Sequence, residues 1–422
     1  MNACTGDEAR STAEAVARRS YGKLVAFVAA RSRDLAAAED ALSEAFASAL
    51  QSWPQNGCPA NPEAWLLTVA RRKLIDMARR EHGSELVDVD LERVARISTP
   101  ADEDIPDRRL ALMFACAHPA IEAGIRAPLI LQTILGLDAA TIASAFLMSP
   151  TAMGKRLVRA KGKIREAAIP FCIPEREELP GRLDAVLAAI YAAFSEGWSD
   201  AAGTDLSRRD LTSEAFFLAR LVSEMLPGEP EAIGLLALML HAEARRSARR
   251  SEDGEYVPLA EQDPLRWNAQ MIDEAEALLV RASAFGVTGR YQLEAAVQSA
   301  HVYRCRTGHA NWEAVLQIYD GLFTMTRSPV VAINRALALA ELYDAHAGLE
   351  AMPDHGGDGR LAEYQPYWAA RAELLAKAGA HEEAGQAYEV AIGLERDPAV
   401  RRFLERRRLG VLLQGMRRNA YR

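Results

Sequence analysis

The sequence predicts an all-α chain of several domains, and three observations predict it. Ala, Leu, Glu and Arg dominate most of its 422 residues, and alternating β-branched runs are almost absent. Apolar residues recur at three- and four-residue steps, as along Leu66, Ala70, Leu74 and Met77. Helix-starting punctuation is frequent: Asn61-Pro62-Glu63 and Ser149-Pro150 each set a capping side chain before a proline, whose missing N–H costs nothing at the first helical position. A chain of this length exceeds one ordinary core, so about two to four domains are expected.

Four zones follow in order. Residues 10–82 hold helices expected at 12–30, 34–52 and 62–80. On the last, the stripe from Leu66 to Met77 is the buried side, and Thr68, Arg72, Asp76 and Arg79 fall on another face. The stretch 81–107 carries nine acidic residues against Arg93 and Arg96, with Pro100 and Pro106 near its end, so 83–107 is expected to be an extended, solvated linker. Residues 108–170 end in a helix-turn-helix pattern. A short helix from Asp138 to Phe146 is followed by a Leu147-Met148-Ser149 turn and a second helix opening at Ser149-Pro150. Met153, Leu157, Ala160 and Ile164 form the apolar seam of that second helix.

Residues 180–422 look repetitive. The segments E-A-F-F-L-A-R…P-G-E-P (214–230), E-A-V-L-Q-I-Y…R-S-P (313–329) and E-E-A-G-Q-A-Y…R-D-P (382–398) share a layout in which a proline opens the next helix. Pro230, Pro329 and Pro398 lie 99 and 69 residues apart. Those spacings are close to three and two periods of about 34, the tetratricopeptide length, so a helical-repeat solenoid with a concave surface suited to a protein or peptide partner is expected. Trp198, Trp267 and Trp312 are expected to be interior packing.

Charge and reactive residues narrow the function. The net charge of −8 divides unevenly: residues 1–170 carry 22 basic and 21 acidic side chains, and residues 171–422 carry 28 and 37. Only the first part is suited to nucleic acid, through local clusters. The five cysteines are scattered with no C-x-x-C pair, and the eight histidines form no H-x-x-H or H-E-x-x-H spacing, so neither a disulfide framework nor a metal site is expected. There is no Gly-rich phosphate loop or convincing nucleophile set, and Cys305 near His301 and His309 falls inside a repeat helix, so no catalytic residue and no cofactor is expected. No apolar run approaches the roughly 18 to 20 residues of a membrane span, and the first residues lack a signal-peptide core, so the expected location is the cytoplasm, away from membrane.

The two basic helices carry the functional reading. Arg71, Arg72, Lys73, Arg79 and Arg80 lie on one. Lys155, Arg156, Arg159, Lys161, Lys163 and Arg165 put six cations in eleven residues on the other. Cations on a helix neutralise phosphates and release counterions, and the second helix of a helix-turn-helix reaches the major groove, where arginine bonds guanine O6 and N7 together.

In that order the segments resemble extracytoplasmic-function sigma factors of bacterial RNA polymerase. Residues 20–80 resemble region 2. Within it, D-L-A-A-A-E-D-A-L-S-E-A-F-A-S-A-L (34–50) is similar to the segment that grips the polymerase clamp, and N-P-E-A-W-L-L-T-V-A-R-R-K-L-I-D-M-A-R-R (61–80) to the helix that reads and opens the −10 element. Residues 109–169 resemble region 4, whose recognition helix contacts the −35 element. Residues 171–422 resemble the tail of the subgroup with a C-terminal tetratricopeptide domain, through S-E-G-W-S-D-A-A-G-T-D-L-S-R-R-D-L (195–211), L-L-A-L-M-L-H-A-E-A-R-R (235–246) and S-P-V-V-A-I-N-R-A-L-A-L-A-E (328–341).

The resemblance implies binding to core RNA polymerase through Asp34, Glu39, Asp40, Glu44 and Phe46. It implies −10 recognition through Trp65, Arg71, Arg72, Asp76, Arg79 and Arg80, with the stretch Pro54–Asn61 where relatives hold an unstacked promoter base. It implies −35 recognition through Thr151, Lys155, Arg156, Arg159, Lys161 and Lys163. Phe46 and Trp65 fit core positions equally well. Arg72 stands where many relatives carry asparagine, and Gly154-Lys155 where they often carry a longer polar pair. The tail, in the subgroup, takes the place of a separate regulator; Arg208, Arg209 and Asp210 fit a regulator contact or simple helix capping. Without the resemblance, a repeat-containing helix-turn-helix regulator that binds duplex DNA independently of polymerase accounts for the last two zones, and a protein scaffold with solvated basic helices for the whole.

Overall fold

The computed structural model describes residues 6–32, 34–82, 107–167, 169, 173–199, 206–354, 356 and 359–420. Among them the architecture is helical, and the one extended pairing is an isolated bridge between Arg250 and Tyr256. The acidic linker lies outside the described residues except for Asp107, as do Cys4 and Cys172. The described residues divide into two compact units, one formed by 6–197 with 206–218, the other by 198–199 with 219–420.

The first unit opens with helices α1 (Gly6–Ser32), α2 (Leu35–Asn56) and α3 (Pro62–His82). Asp34 caps α2 by accepting from the Ala37 amide at 3.0 Å, and Asn61 caps α3 by accepting from Ala64 at 3.0 Å. Val16, Leu24, Val25 and Val28 from α1, Leu42 and Trp53 from α2, and Leu66 and Ala70 from α3 are buried. Ser20 of α1 bonds Glu63 at the start of α3. The end of α2 departs from the sequence reading, which stops at 52. Pro54 sits inside the helix, and Gly57, at φ +84°, donates to the Trp53 carbonyl at 2.9 Å. Buried Trp53 anchors this last turn, so the connection to α3 shrinks from Pro54–Asn61 to residues 57–61.

Helices α4 (Arg108–Cys116), α5 (Ala123–Thr133), α6 (Ala139–Ala145) and α7 (Pro150–Glu166) follow. Asp138 caps α6 through the amides of Ala140 and Thr141, and the bond from Thr141 is the main reason its carboxyl is held below the ordinary range. Leu147 takes the left-handed conformation at φ +51° in the turn, and the Met148 amide donates to the Ala143 carbonyl at 2.9 Å. The same unit includes most of α8 (Pro180–Ser199) and the first part of α9 (Leu206–Met225). Arg182 of α8 is buried and donates to the Phe114 carbonyl at 3.3 Å, and Arg109 of α4 pairs with Asp107 and with Glu214 of α9.

The second unit continues from the end of α9. Pro230 opens the helix Pro230–Ala244, Pro329 opens Pro329–Leu342 and Pro398 opens Pro398–Ala420, as the shared layout predicts. Between them lie Ala269–Ser283, Arg290–Thr307, Trp312–Thr326, Ala345–Ala351, Gln365–Lys377 and His381–Leu394. Most helices pack on their neighbours along the chain, so the core runs as a series of local clusters. Trp267 is buried in one such cluster, with Cys305 against its edge, while Trp198 and Trp312 are half-buried and lie beside Arg249 and Arg304.

Candidate nucleic-acid interface

Helix α3 divides as its sequence predicts. Leu66 and Ala70 are buried and Leu74 and Met77 half-buried, whereas Thr68, Arg71, Arg72 and Asp76 are exposed. Lys73 is drawn to α2, its Nζ 3.0 Å from Glu44 Oε2. Arg79 and Arg80 continue the helix, their side chains outside the described residues. Trp65 is half-buried and meets Trp53 edge-on, with ring centroids 5.5 Å apart, so it braces α2 against α3 while keeping part of its ring in water.

On α2 the polymerase-binding candidates split into two groups. Asp34, Asp40 and Glu44 are exposed. Glu39 and Phe46 are half-buried: the Phe46 ring centroid lies 6.3 Å from that of Tyr21, and Glu39 accepts from Lys161 of α7. Burial and the charges of Glu39 and Asp40 push the Tyr21 hydroxyl above its ordinary value, against a lowering bond from Ser43. Phe46 therefore packs between helices, one of the two roles its sequence left open.

On α7, Met153, Leu157 and Ala160 are buried and Ile164 is half-buried. Thr151, Lys155, Arg159 and Lys163 are exposed to water. Arg156 and Lys161 are engaged. The Arg156 guanidinium lies 3.3 Å from Glu122 and 3.4 Å from Met148 Sδ, and Lys161 bonds Glu39. Arg165 lies on the helix with its side chain outside the described residues. Gly154 has open space where a Cβ would stand.

The geometry gives each basic helix one greasy seam and one face of solvated cations, which suits phosphate contact, and on α7 it suits reading of base edges. Among the described residues no group of three or more His, Cys, Asp or Glu side chains is placed to hold a metal, and no helix is long and apolar enough to cross a membrane. Cys116 is fully buried, and burial pushes its thiol up to about 12, so it is an inert packing group. Sequence reading missed Trp53 and the two ion pairs to α2. Trp53 ends the stripe Ala38, Leu42, Ala45 and Ala49, mostly small residues, one position beyond the expected helix end at 52, and the pairs join groups far apart in the chain.

Residues 16–83 match the family described as Sigma-70 region 2, which spans most of α1 and all of α2 and α3. Residues 182–283 match a family of unknown function (DUF6596). An uncharacterized protein of Rhizobium meliloti (strain 1021) is 37% identical over 370 residues, covering 86% of this chain and 87% of that protein. No solved structure matches.

Proposed function

We infer that the chain belongs to a sigma-factor family, because residues 16–83 match sigma-70 region 2, and on that premise we propose that it is an extracytoplasmic-function type initiation factor with two promoter-reading helices. Region 2 implies binding to core RNA polymerase and to promoter DNA. In the proposal α2 grips the polymerase through Asp34, Glu39, Asp40 and Glu44, α3 engages the −10 element, and α7 acts as the region 4 recognition helix at the −35 element.

One observation carries this reading. Arg71 and Arg72 on α3, and Lys155, Arg159 and Lys163 on α7, stand exposed on helices whose opposite seams are buried. A buried seam fixes the orientation of a helix, so the cations are held outward without cost in the folded core, where phosphates displace counterions from them.

The tail is proposed to act on initiation from within the same chain, its packed helix series offering a surface to a protein or peptide partner. Residues 180–197 and 206–218 belong with the first unit, Arg182 and Glu214 each bonding α4, so a truncation that leaves the promoter-reading part whole begins after α9. Removing residues 228–422 is expected to change the amount of transcript from a target promoter.

The test is a mobility-shift experiment on promoter fragments with and without core polymerase. Tight, promoter-selective binding is expected only with polymerase. Tight binding of duplex DNA by the protein alone would favour a helix-turn-helix regulator that works independently of polymerase, and α7 by itself is equipped for that.

A further inference from the structure

Two arginines of the second unit are drawn out of water without meeting a carboxylate among the described residues. Arg245 follows the helix Pro230–Ala244, and Arg249 ends the short 3-10 turn Arg246–Arg249. Arg245 is only 9% exposed, and Arg249 is half-buried. Their partners are neutral. Arg245 donates through Nε to the His241 carbonyl at 3.2 Å and through Nη2 to Gln298 Oε1. Arg249 donates through Nη1 to the Trp198 carbonyl at 2.7 Å, and its guanidinium lies 3.6 Å from the centre of the Trp198 ring.

The arginines beside them are paired differently. Arg250 meets Asp397 and Arg246 meets Glu243, so those two acids are spent. Burial holds Arg249 down to about 10; the Tyr256 phenol acts against that, and the charges of Arg246, Arg250 and Arg245 add to it. Burial takes Arg245 down to about 10 as well, with Cys305 and Tyr256 acting against it. Carbonyls and a ring face orient a guanidinium but do not cancel its charge, and a cation held out of water without a counter-ion is costly.

Tyr256 is the neighbour these cations share. Its ring meets Phe403 edge-on, with centroids 5.4 Å apart. Burial raises its hydroxyl above the ordinary value, against the lowering charges of Arg249 and Arg250, so it stays an O–H donor. Glu395 and Glu261 also act on Tyr256, but neither is among the charges acting on Arg245 or Arg249. Glu395 is already engaged, accepting from the amides of Arg396 and Asp397.

We propose that Arg245, Arg249 and the Tyr256 hydroxyl form a binding site for a small phosphate-bearing solute, whose negative charge supplies the counter-ion the chain withholds. Two cations match a phosphate monoester, at about −1.5 to −2 near neutral pH, better than they match one carboxylate. Each arginine fork keeps N–H groups beyond those already bonded, and with the phenol they supply donors from three side chains, which suits a tetrahedral oxyanion. Arg249 and Tyr256 are half-buried and reachable from water, while Arg245 is set deeper. That suits a group small enough to enter, not a broad docked surface. Trp198, Arg245, Arg249 and Tyr256 all fall within residues 182–283, the segment that matches a family of unknown function. The site is independent of the roles given above to α2, α3 and α7.

Calorimetric titration of the full chain with inorganic phosphate tests this, together with melting in phosphate against chloride at equal ionic strength. Wild type should bind phosphate saturably, and its melting temperature should rise with phosphate but not with chloride. Arg249→Gln should weaken phosphate binding about tenfold or more, because a charge-assisted bond becomes a neutral one. Arg281→Gln, at an exposed arginine elsewhere, should leave it unchanged. Phosphate that protects wild type no better than chloride, or that binds Arg249→Gln as tightly as wild type, overturns the site. The comparison of phosphate with chloride decides on wild type alone, should the variant fail to fold.

Trp198 gives a second readout. An anion drawn to Arg249 should change the tryptophan emission, and Trp198→Phe should remove that change; a response that survives Trp198→Phe unaltered places the phosphate elsewhere and overturns the assignment. Acetate should bind more weakly than phosphate, and acetate that binds as tightly contradicts the match to a doubly charged oxyanion. Free phosphoserine should compete with inorganic phosphate; competition only by a phosphoserine-containing peptide would overturn the small-solute class.

Discussion

The ammonium of Lys73 sits 3.0 Å from the Glu44 carboxylate and so ties α3, with its exposed Arg71 and Arg72, to the helix that carries Asp40. The pair is partly solvated, with Glu44 half in water, and such pairs contribute about 0–1 kcal/mol. Asp40 is exposed as well. Replacing both, as Asp40→Ala with Glu44→Ala, should therefore abolish co-purification with core polymerase and leave the melting transition within a few degrees of wild type. Unchanged co-purification defeats the assignment of this face.

Arg159 and Arg156 should differ, although their sequence context is alike. Arg159 is exposed and has no ion pair among the described residues, whereas Arg156 leans on Glu122 and Met148. Arg159→Ala is expected to weaken use of one promoter class by about 1–3 kcal/mol if it bonds a guanine. Arg156→Ala should cost less in promoter use, because its DNA contact must first displace Glu122. Transcription from a set of single-base −35 variants measures both, and a uniform loss across all of them would mark Arg159 as a phosphate contact.

Gly154 stands in the middle of α7 with nothing within 4 Å of the place a Cβ would take, and its backbone is helical. Gly154→Ala should stabilise the protein by up to about 1 kcal/mol, since glycine forfeits backbone entropy in a helix. Denaturant unfolding checks the sign; a loss of stability would mean that the helix is held in a conformation alanine resists.

Two histidines give the second unit a pH-dependent stability. Burial holds His241 and His301 down to about 4, with the cations Arg245 and Arg306 acting on the first and Arg304 and Arg245 on the second. Glu276 lies 3.6 Å from His241 Nε2, too far for a good hydrogen bond. A folded value below the ordinary value of 6.5 favours the neutral ring in the folded state, so this contribution is complete above pH 6.5 and is lost as pH falls toward 4. Each histidine should remove about 1.4 kcal/mol per pH unit across that window. Unfolding between about pH 6.5 and 5, above most carboxylate titration, should show the slope, and His241→Gln should reduce it; a flat profile contradicts the burial argument.

Helix starts were the most legible part of the sequence. Asn61-Pro62, Asp138, Ser149-Pro150, Pro230, Pro329 and Pro398 each open or cap the helix they announce, because capping and the missing proline N–H are local effects. The seam of α7 was equally readable from its three- and four-residue steps. Helix α4 was not, since a helix buried all round has no periodicity to detect. The left-handed Leu147 was hidden as well, since a leucine carries no sign of a positive φ. At the site, the exposed cations were legible one by one, but their competition was not. Lys161 reads as a phosphate ligand and Glu39 as a polymerase contact, and only the fold brings the two together.

Run-off transcription with core polymerase and this protein, on a library of promoter fragments, bears most directly on the central claim. Defined transcripts are expected from fragments that share two separated sequence elements, with loss of the start site when either element is changed. Polymerase that gains no start-site selectivity from the added protein would contradict the account.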